Sequence, residues 1–221
     1  MEILDIALAD RCYVASKTNI GLLAHLSKQA ATRVMPIRDG LIHFSDTIRL
    51  PVRPMIGVIG VAPAGEGIAT GNVGVHGGNM DNRYITSGAT VYLPVFVVGA
   101  LLGIGDLHAA MGDGEITMVG VEVAAKVTVR ISLLKNRPCP RPWLENAGEW
   151  ITTGDDNDPG HACRIAAEEM TNLLQAKLGV SFAEAYLLMS AWGDVQICQM
   201  CEPNQDFTTA RAVFPKPGAF S

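Results

Sequence analysis

KNRPCPRPW, residues 135–143, holds three prolines in five positions. Proline donates nothing to a β-ladder and cannot continue a helix, so the stretch reads as a rigid crossover. It decides the fold because the sequence period changes across it. Before it come short β-like runs: Ile3 to Leu8, Leu41 to Phe44, Met55 to Val61, Thr90 to Val98 and Ile116 to Ser132. Gly, Pro, Asn and Asp cluster between these runs, as turns require. After it the apolar spacing becomes helical. Asp158 followed by Pro159 makes a helix start, and HACRIAAEEMTNLLQAKLG (161–179) places apolar residues at three-to-four spacing before Gly179 stops it. Ser181 and Glu184 form a capping box for a second, shorter helix through Ser190. A strand from Val195 to Met200 is expected next, and the tail from Arg211 reads as loop.

The expected fold class is therefore α+β. Residues 1–134 form a β-rich, sandwich- or barrel-like main part with mostly antiparallel strands. Residues 135–143 cross over, and residues 144–221 form a smaller α/β part packed on the same core. The only long helix is expected near 160–178.

The 221 residues are 48% hydrophobic and 18% charged, the signature of a well-buried globular chain. A net charge of −5 without any basic run argues against nucleic acid as a partner. The longest uncharged stretch, Tyr84 to Ile104, is broken by Pro94, Gly88, Gly99 and Gly103, so no membrane span is expected. MEILDIALAD is acidic and alternating, a strand rather than a signal peptide, which suggests a cytoplasmic protein. Its short β-edge, EILDIAL, favours pairing with a second copy, hence a homo-oligomer. Five scattered cysteines give no disulfide framework, and the lone Cys198-x-x-Cys201 is read as structural. TGDDNDPG (153–160) fails as a calcium loop, because Pro159 and Ala166 fall where ligands are needed. Its acids are better explained as charge at a helix amino terminus.

The chemistry concentrates in GDLHAAMGDGE, residues 105–115, directly after the uncharged run VYLPVFVVGALLGIG. Asp106 and His108 are two apart and share a face of an extended backbone, and Asp113 and Glu115 repeat that spacing. A second glycine-framed patch, HGGNMD at 76–81, supplies His76, Asn79 and Asp81. Each Gly-Asp alone is an ordinary turn former. Together, imidazole and carboxylates are the ligand chemistry of zinc and its neighbours, provided both patches end at one sheet edge.

The order PMIGVIGVAPA (54–64), HGGNMD (76–81), LPVFVVGALLGIGDLHAAMGDGE (93–115), TTGDD and SFAEAYLLMSAWGDVQICQ (181–199) resembles the acetamidase/formamidase family. The resemblance runs over nearly the whole chain, and the GDLH-x-x-x-GDGE element is highly specific to that family. It implies a β-rich fold with a smaller α/β part, and hydrolysis of short linear carboxamides to carboxylate and ammonia. Family members carry a further amino-terminal segment that this chain is expected to lack, and many have glutamine where this chain has Met111.

On that resemblance the expected mechanism is metal-assisted hydrolysis, with zinc first and calcium or another divalent ion as alternatives. Asp81 and His108 are the first choices as ligands, with Asp106 or His76 completing the shell. Glu115 is the expected general base and later proton donor, oriented by Asp113. Asn79, Met80 and Met111 are expected to line the substrate pocket with Leu107, crowding the acyl group so that formamide and acetamide are preferred. No glycine-serine-rich nucleophile region points to a serine-lysine amidase, and no cysteine is set for a cysteine amidase. The alternatives are an inactive scaffold or binding subunit of the same fold, or a metal-dependent hydrolase of other non-peptide C–N bonds.

Overall fold

The computed structural model describes residues 1–200 and 207–218. The strands before the prolines are β1 (Glu2–Ser16), β2 (Ala31–Arg38), β3 (Leu41–His43), β4 (Arg49–Pro51) and β5 (Met55–Gly60). They continue as β6 (Val73–Gly74), β7 (Gly77–Asn79), β8 (Thr90–Tyr92), β9 (Gly103–Ala110) and β10 (Val121–Arg130). After the prolines come β11 (Trp143–Glu145), β12 (Glu149–Asp156), α1 (Pro159–Leu178), α2 (Phe182–Trp192), β13 (Asp194–Gln199) and β14 (Thr208–Pro215). The fold is β-rich with two helices. Every named strand pair is antiparallel, and the one long helix among the described residues is α1.

A single sheet runs β13-β14-β12-β11-β8-β1-β10-β9-β5-β7-β6, with β2, β3 and β4 attached beside β1. It crosses the proline-rich stretch, because β11 pairs with β8. The core follows suit. Ile3, Ile6, Ile56 and Ile59 pack in one cluster with Leu144, Ile151 and Val213.

Both helices begin as their caps dictate. The Asp158 carboxylate accepts from the His161 N–H, Pro159 fills the first turn, and Gly179 closes α1 with φ 69°. Ser181 and Glu184 form the reciprocal capping box of α2. Helix α1 lies on β12 and β14 through Ala162, Ala166, Met170 and Leu174 against Ala210, Ala212 and Phe214. Gly154 makes that approach possible, since a Cβ there would collide with the Ala162 carbonyl and the Ala166 nitrogen. In the acidic run, Asp158 alone caps the helix, whereas Asp155 pairs with Arg141 from the proline-rich segment.

Three expectations need correction and one is narrowed. The tail from Arg211 is not loop: β14 lies between β12 and β13 and is buried along most of its length. Its inward threonines and arginine hide the alternation that marks a strand. EILDIAL is an edge on one side only: β10 pairs with it on one side, while on the other β8 meets β1 at Glu2 and β2 takes up only Arg11 to Ser16. The run from Thr90 to Val98 stops at Tyr92, where Leu93-Pro94 leaves the ladder. The run from Ile116 begins only at Val121. Cys201 lies outside the described residues, and Cys198 is a buried free thiol.

Candidate functional site

Strand β5 separates the two glycine-framed patches. It pairs with β9 on one side and β7 on the other, so GDLH and HGGNMD meet across it. Gly57, in the middle of β5, makes room for the meeting. A Cβ at that position would stand 2.5 Å from Asp106 Oδ2 and 2.6 Å from Asp81 Oδ1. Gly120 does the same for the imidazole, since a Cβ there would lie 2.5 Å from His108 Nδ1.

His108 is the centre of the cluster and is fully buried. Its Nδ1 lies 4.0 Å from Asp81 Oδ1. Its Nε2 lies 3.2 Å from Glu122 Oε1, 3.4 Å from Asp106 Oδ1 and 4.0 Å from Glu115 Oε1. Glu122 arrives from β10, where it stands opposite His108 in the register. Two overlapping sets, Asp81–His108–Glu115 and Asp106–His108–Glu122, each bring three ligand-type atoms within 4.8 Å of one another.

The backbone is bent to achieve this. Asp81, Asp106 and Glu115 all take left-handed conformations, with φ of 43°, 55° and 43°. Such conformations cost roughly 1 kcal/mol or more each and persist where the surroundings over-determine them. Both carboxylate oxygens of Asp81 and both ring nitrogens of His108 are buried without a hydrogen-bond partner. Unpartnered buried polar atoms are expensive, and a shared cation is one way to satisfy them all.

The charges shift accordingly. Burial raises the Asp81 carboxyl well above the usual range, with Glu115 and Asp106 adding to the rise and His108 opposing it. Burial likewise lifts Glu115 to about 7, against the pull of His108 and with the push of Asp106 and Glu122. Burial works against a charged His108, but the carboxylates of Asp106 and Glu122 outweigh it and raise its pKa to about 11.

The cluster opens on a cavity of about 320 Å³ whose lining includes Val58, Thr70, Asn79 and Met118 beside Asp81 and Glu115. The other sequence-predicted residues stand elsewhere. Met80 is buried in the main core, and Met111 is buried outside the cavity lining. Leu107 faces a second cavity on the far side of Asp106 and Glu122. His76 lies outside both acidic sets, next to Gly74 and Gly78, with burial lowering its pKa. Asp113 is held by two arginines, Arg83 at 3.1 Å and the fully buried Arg211.

Sequence reasoning missed Glu122, Gly57, Gly120 and Arg211. Glu122 sits in an alternating strand where a charge reads as solvent-facing. The lone arginine in TTARAVFP was the available signal for Arg211.

The chain resembles known proteins in sequence and in fold. The Acetamidase/Formamidase family matches residues 64–208. A formamidase of Methylophilus methylotrophus is 43% identical over 74 residues, covering 33% of this chain and 18% of that protein. An acetamidase of Mycolicibacterium smegmatis is 40% identical over 111 residues, covering 50% of this chain and 25% of that protein. The matched stretches thus span a quarter or less of these curated relatives. The crystal structure of an acetamidase from Bacillus halodurans superposes with a TM-score of 0.92 at 40% identity, covering 97% of this chain and 72% of that one. With the family match spanning well over half its length and a crystallographic relative matching nearly all of it, the chain belongs to the acetamidase/formamidase family.

Proposed function

We propose that the chain hydrolyses short linear carboxamides of the formamide and acetamide type to carboxylate and ammonia. One observation carries this reading: a buried His108–carboxylate cluster with orphaned polar atoms opens on a cavity of about 320 Å³. That space suits a small substrate and not a peptide. The relatives named formamidase and acetamidase support the same substrate class.

His108, through Nε2, with Asp106 and Glu122 would hold a divalent ion, zinc first and calcium or another divalent ion next, and Asp81 lies on the Nδ1 side of the same imidazole. Such an ion, when bound, supplies Lewis acidity, polarising a carbonyl and making water a better nucleophile near neutral pH. The chain's own residues do the rest. Asn79, on the cavity wall, is placed to orient the amide by hydrogen bonding. Glu115, with a pKa of about 7, takes the proton of the attacking water and returns it to the leaving nitrogen. Val58 and Met118 limit the acyl group that fits.

Ammonia release from formamide, acetamide and benzamide, measured with ion content on the same preparation, tests the proposal. The two small amides are expected to turn over and benzamide to be poor. Equal turnover of benzamide would refute the pocket, and an ion-loaded chain releasing no ammonia would favour the scaffold reading. A homo-oligomer is part of the proposal. Its support is the exposed apolar face of α2, where Phe182, Tyr186, Leu187 and Trp192 are each more than half exposed. Light scattering at the mass of one chain would refute it.

A further inference from the structure

We infer that Arg211 is a positioning residue, which clamps the GDGE loop from the carboxy-terminal strand β14 and so fixes Glu115. This rests on the acid–base role proposed for Glu115.

A fully buried guanidinium is costly unless its charge is paired and its donors are used. Arg211 divides its donors between β13 and the GDGE loop. Its Nε and Nη2 reach Gln196 Oε1 at 2.9 and 2.6 Å, its Nη1 reaches Cys198 Sγ at 3.5 Å, and its Nη2 also holds Asp113 Oδ2. The Tyr84 ring covers its plane at 5.0 Å. Asp113 is the only carboxylate that Arg211 touches among the described residues. The next residue is tied down as well: the Gly114 N–H donates to the Cys198 carbonyl, and its own carbonyl accepts from Met200. Gly114 and Gln199 form a parallel bridge, the one parallel contact among the described residues. Glu115 follows immediately, in a left-handed conformation that needs outside support. The second arginine on Asp113, Arg83, is 39% exposed and contributes little by comparison. The folding of the carboxy-terminal strands and the aim of Glu115 are thus one event.

The test compares Asp113→Asn, Arg211→Lys and the double variant. Lysine keeps the charge but lacks the fork that spans Gln196 and Asp113. A displacement of the order of 1 Å at a catalytic group costs roughly a hundredfold. Each single variant is therefore expected to lower kcat by about that factor with KM and ion content little changed, and the double variant to lose no more than either alone. Amide exchange over residues 112–118 is expected to quicken while that of β12 stays slow. A kcat near the parent value, or unchanged exchange over 112–118, overturns the inference. Should Arg211→Lys fail to fold, Asp113→Asn decides alone. Should Glu115→Gln keep its turnover, the acid–base role fails, and exchange over 112–118 still reads the clamp by itself.

Discussion

His108 and Glu115 carry different chemistry although they sit 4.0 Å apart, and substitution separates them. His108→Ala removes the one nitrogen donor, so a borderline-soft ion such as zinc is expected to be lost. Glu115→Gln keeps shape and hydrogen bonding but takes no proton. Ion content should stay while turnover falls by roughly a hundredfold or more. Metal analysis and ammonia release on the same preparations check both, and full ion occupancy in His108→Ala would refute the ligand role. Titration gives a second prediction. Glu115 holds its proton up to about 7 in the folded, ion-free chain, whereas the unfolded chain releases it near the ordinary value of 4.5. Stability is therefore fullest below that ordinary value and falls as pH rises through the window. Asp81, also raised, acts with the same sign. His108 extends the fall to higher pH, because its protonated form is favoured up to about 11. The Tm of chelator-treated protein is expected to drop between about pH 5 and pH 7, and Glu115→Gln to flatten that drop. Equal slopes by calorimetry would contradict it. Asp81, Asp106, His108 and Glu115 were legible because glycines frame them and polar residues crowd a short space. Glu122 was not, since a single acid in an alternating strand carries no mark of which face it takes.

At the scale of elements, the site is a gap held open in β5. Gly57 has the space and chemistry of a reserved position, for a methyl group there would displace both Asp81 and Asp106. Gly57→Ala is expected to abolish ion binding at a stability cost of about 1–3 kcal/mol, the usual range for overpacking. Ion content and Tm of the variant check this, and retained ion at full occupancy would show that the carboxylates have slack. Pairing explains why elements were unequally readable. Helices α1 and α2 announce themselves through local signals, Asp158-Pro159, Gly179 and the Ser181–Glu184 box, each acting within a few residues. Strands β12 and β14 have no such signal. Thr152 is buried because its hydroxyl donates to the Ala166 carbonyl of α1, and Arg211 because Asp113 and Gln196 receive it. Partners far along the chain turn polar residues inward, and a local alternation rule then reads a core strand as surface or loop.

Taken as a whole, the molecule sets its composition against its connectivity. The prolines at 138, 140 and 142 mark a change from strands to helices, and both helices follow them. Yet the sheet passes straight through. Trp143 stands opposite Tyr92 in the β8–β11 pairing, and their rings stack at 3.9 Å and 4°. The Tyr92 hydroxyl donates to Glu145 at 2.6 Å, and Glu145 also receives Lys216 and the Trp150 N–H. Ile3, Leu144, Ile151 and Val213 share the core cluster that joins the two sides of the prolines, although the cluster under α1 lies wholly after them and the Cys12–Met35 cluster wholly before them. Chains of this size often unfold in steps when their parts bury separate cores. Here the prediction is one cooperative transition. Calorimetry should give equal calorimetric and van't Hoff enthalpies, and a protease cut within 135–142 should release no half that remains folded. Trp143→Ala supplies the sharper version, because it removes a stack between the two sides without touching the His108 cluster. If the molecule is one unit, this variant lowers the single Tm and leaves the transition single. Two resolved transitions, in the parent or in Trp143→Ala, would mean that the sheet joins two independently stable bodies. The clamp from β14 to the GDGE loop would then be a contact between bodies rather than part of one fold.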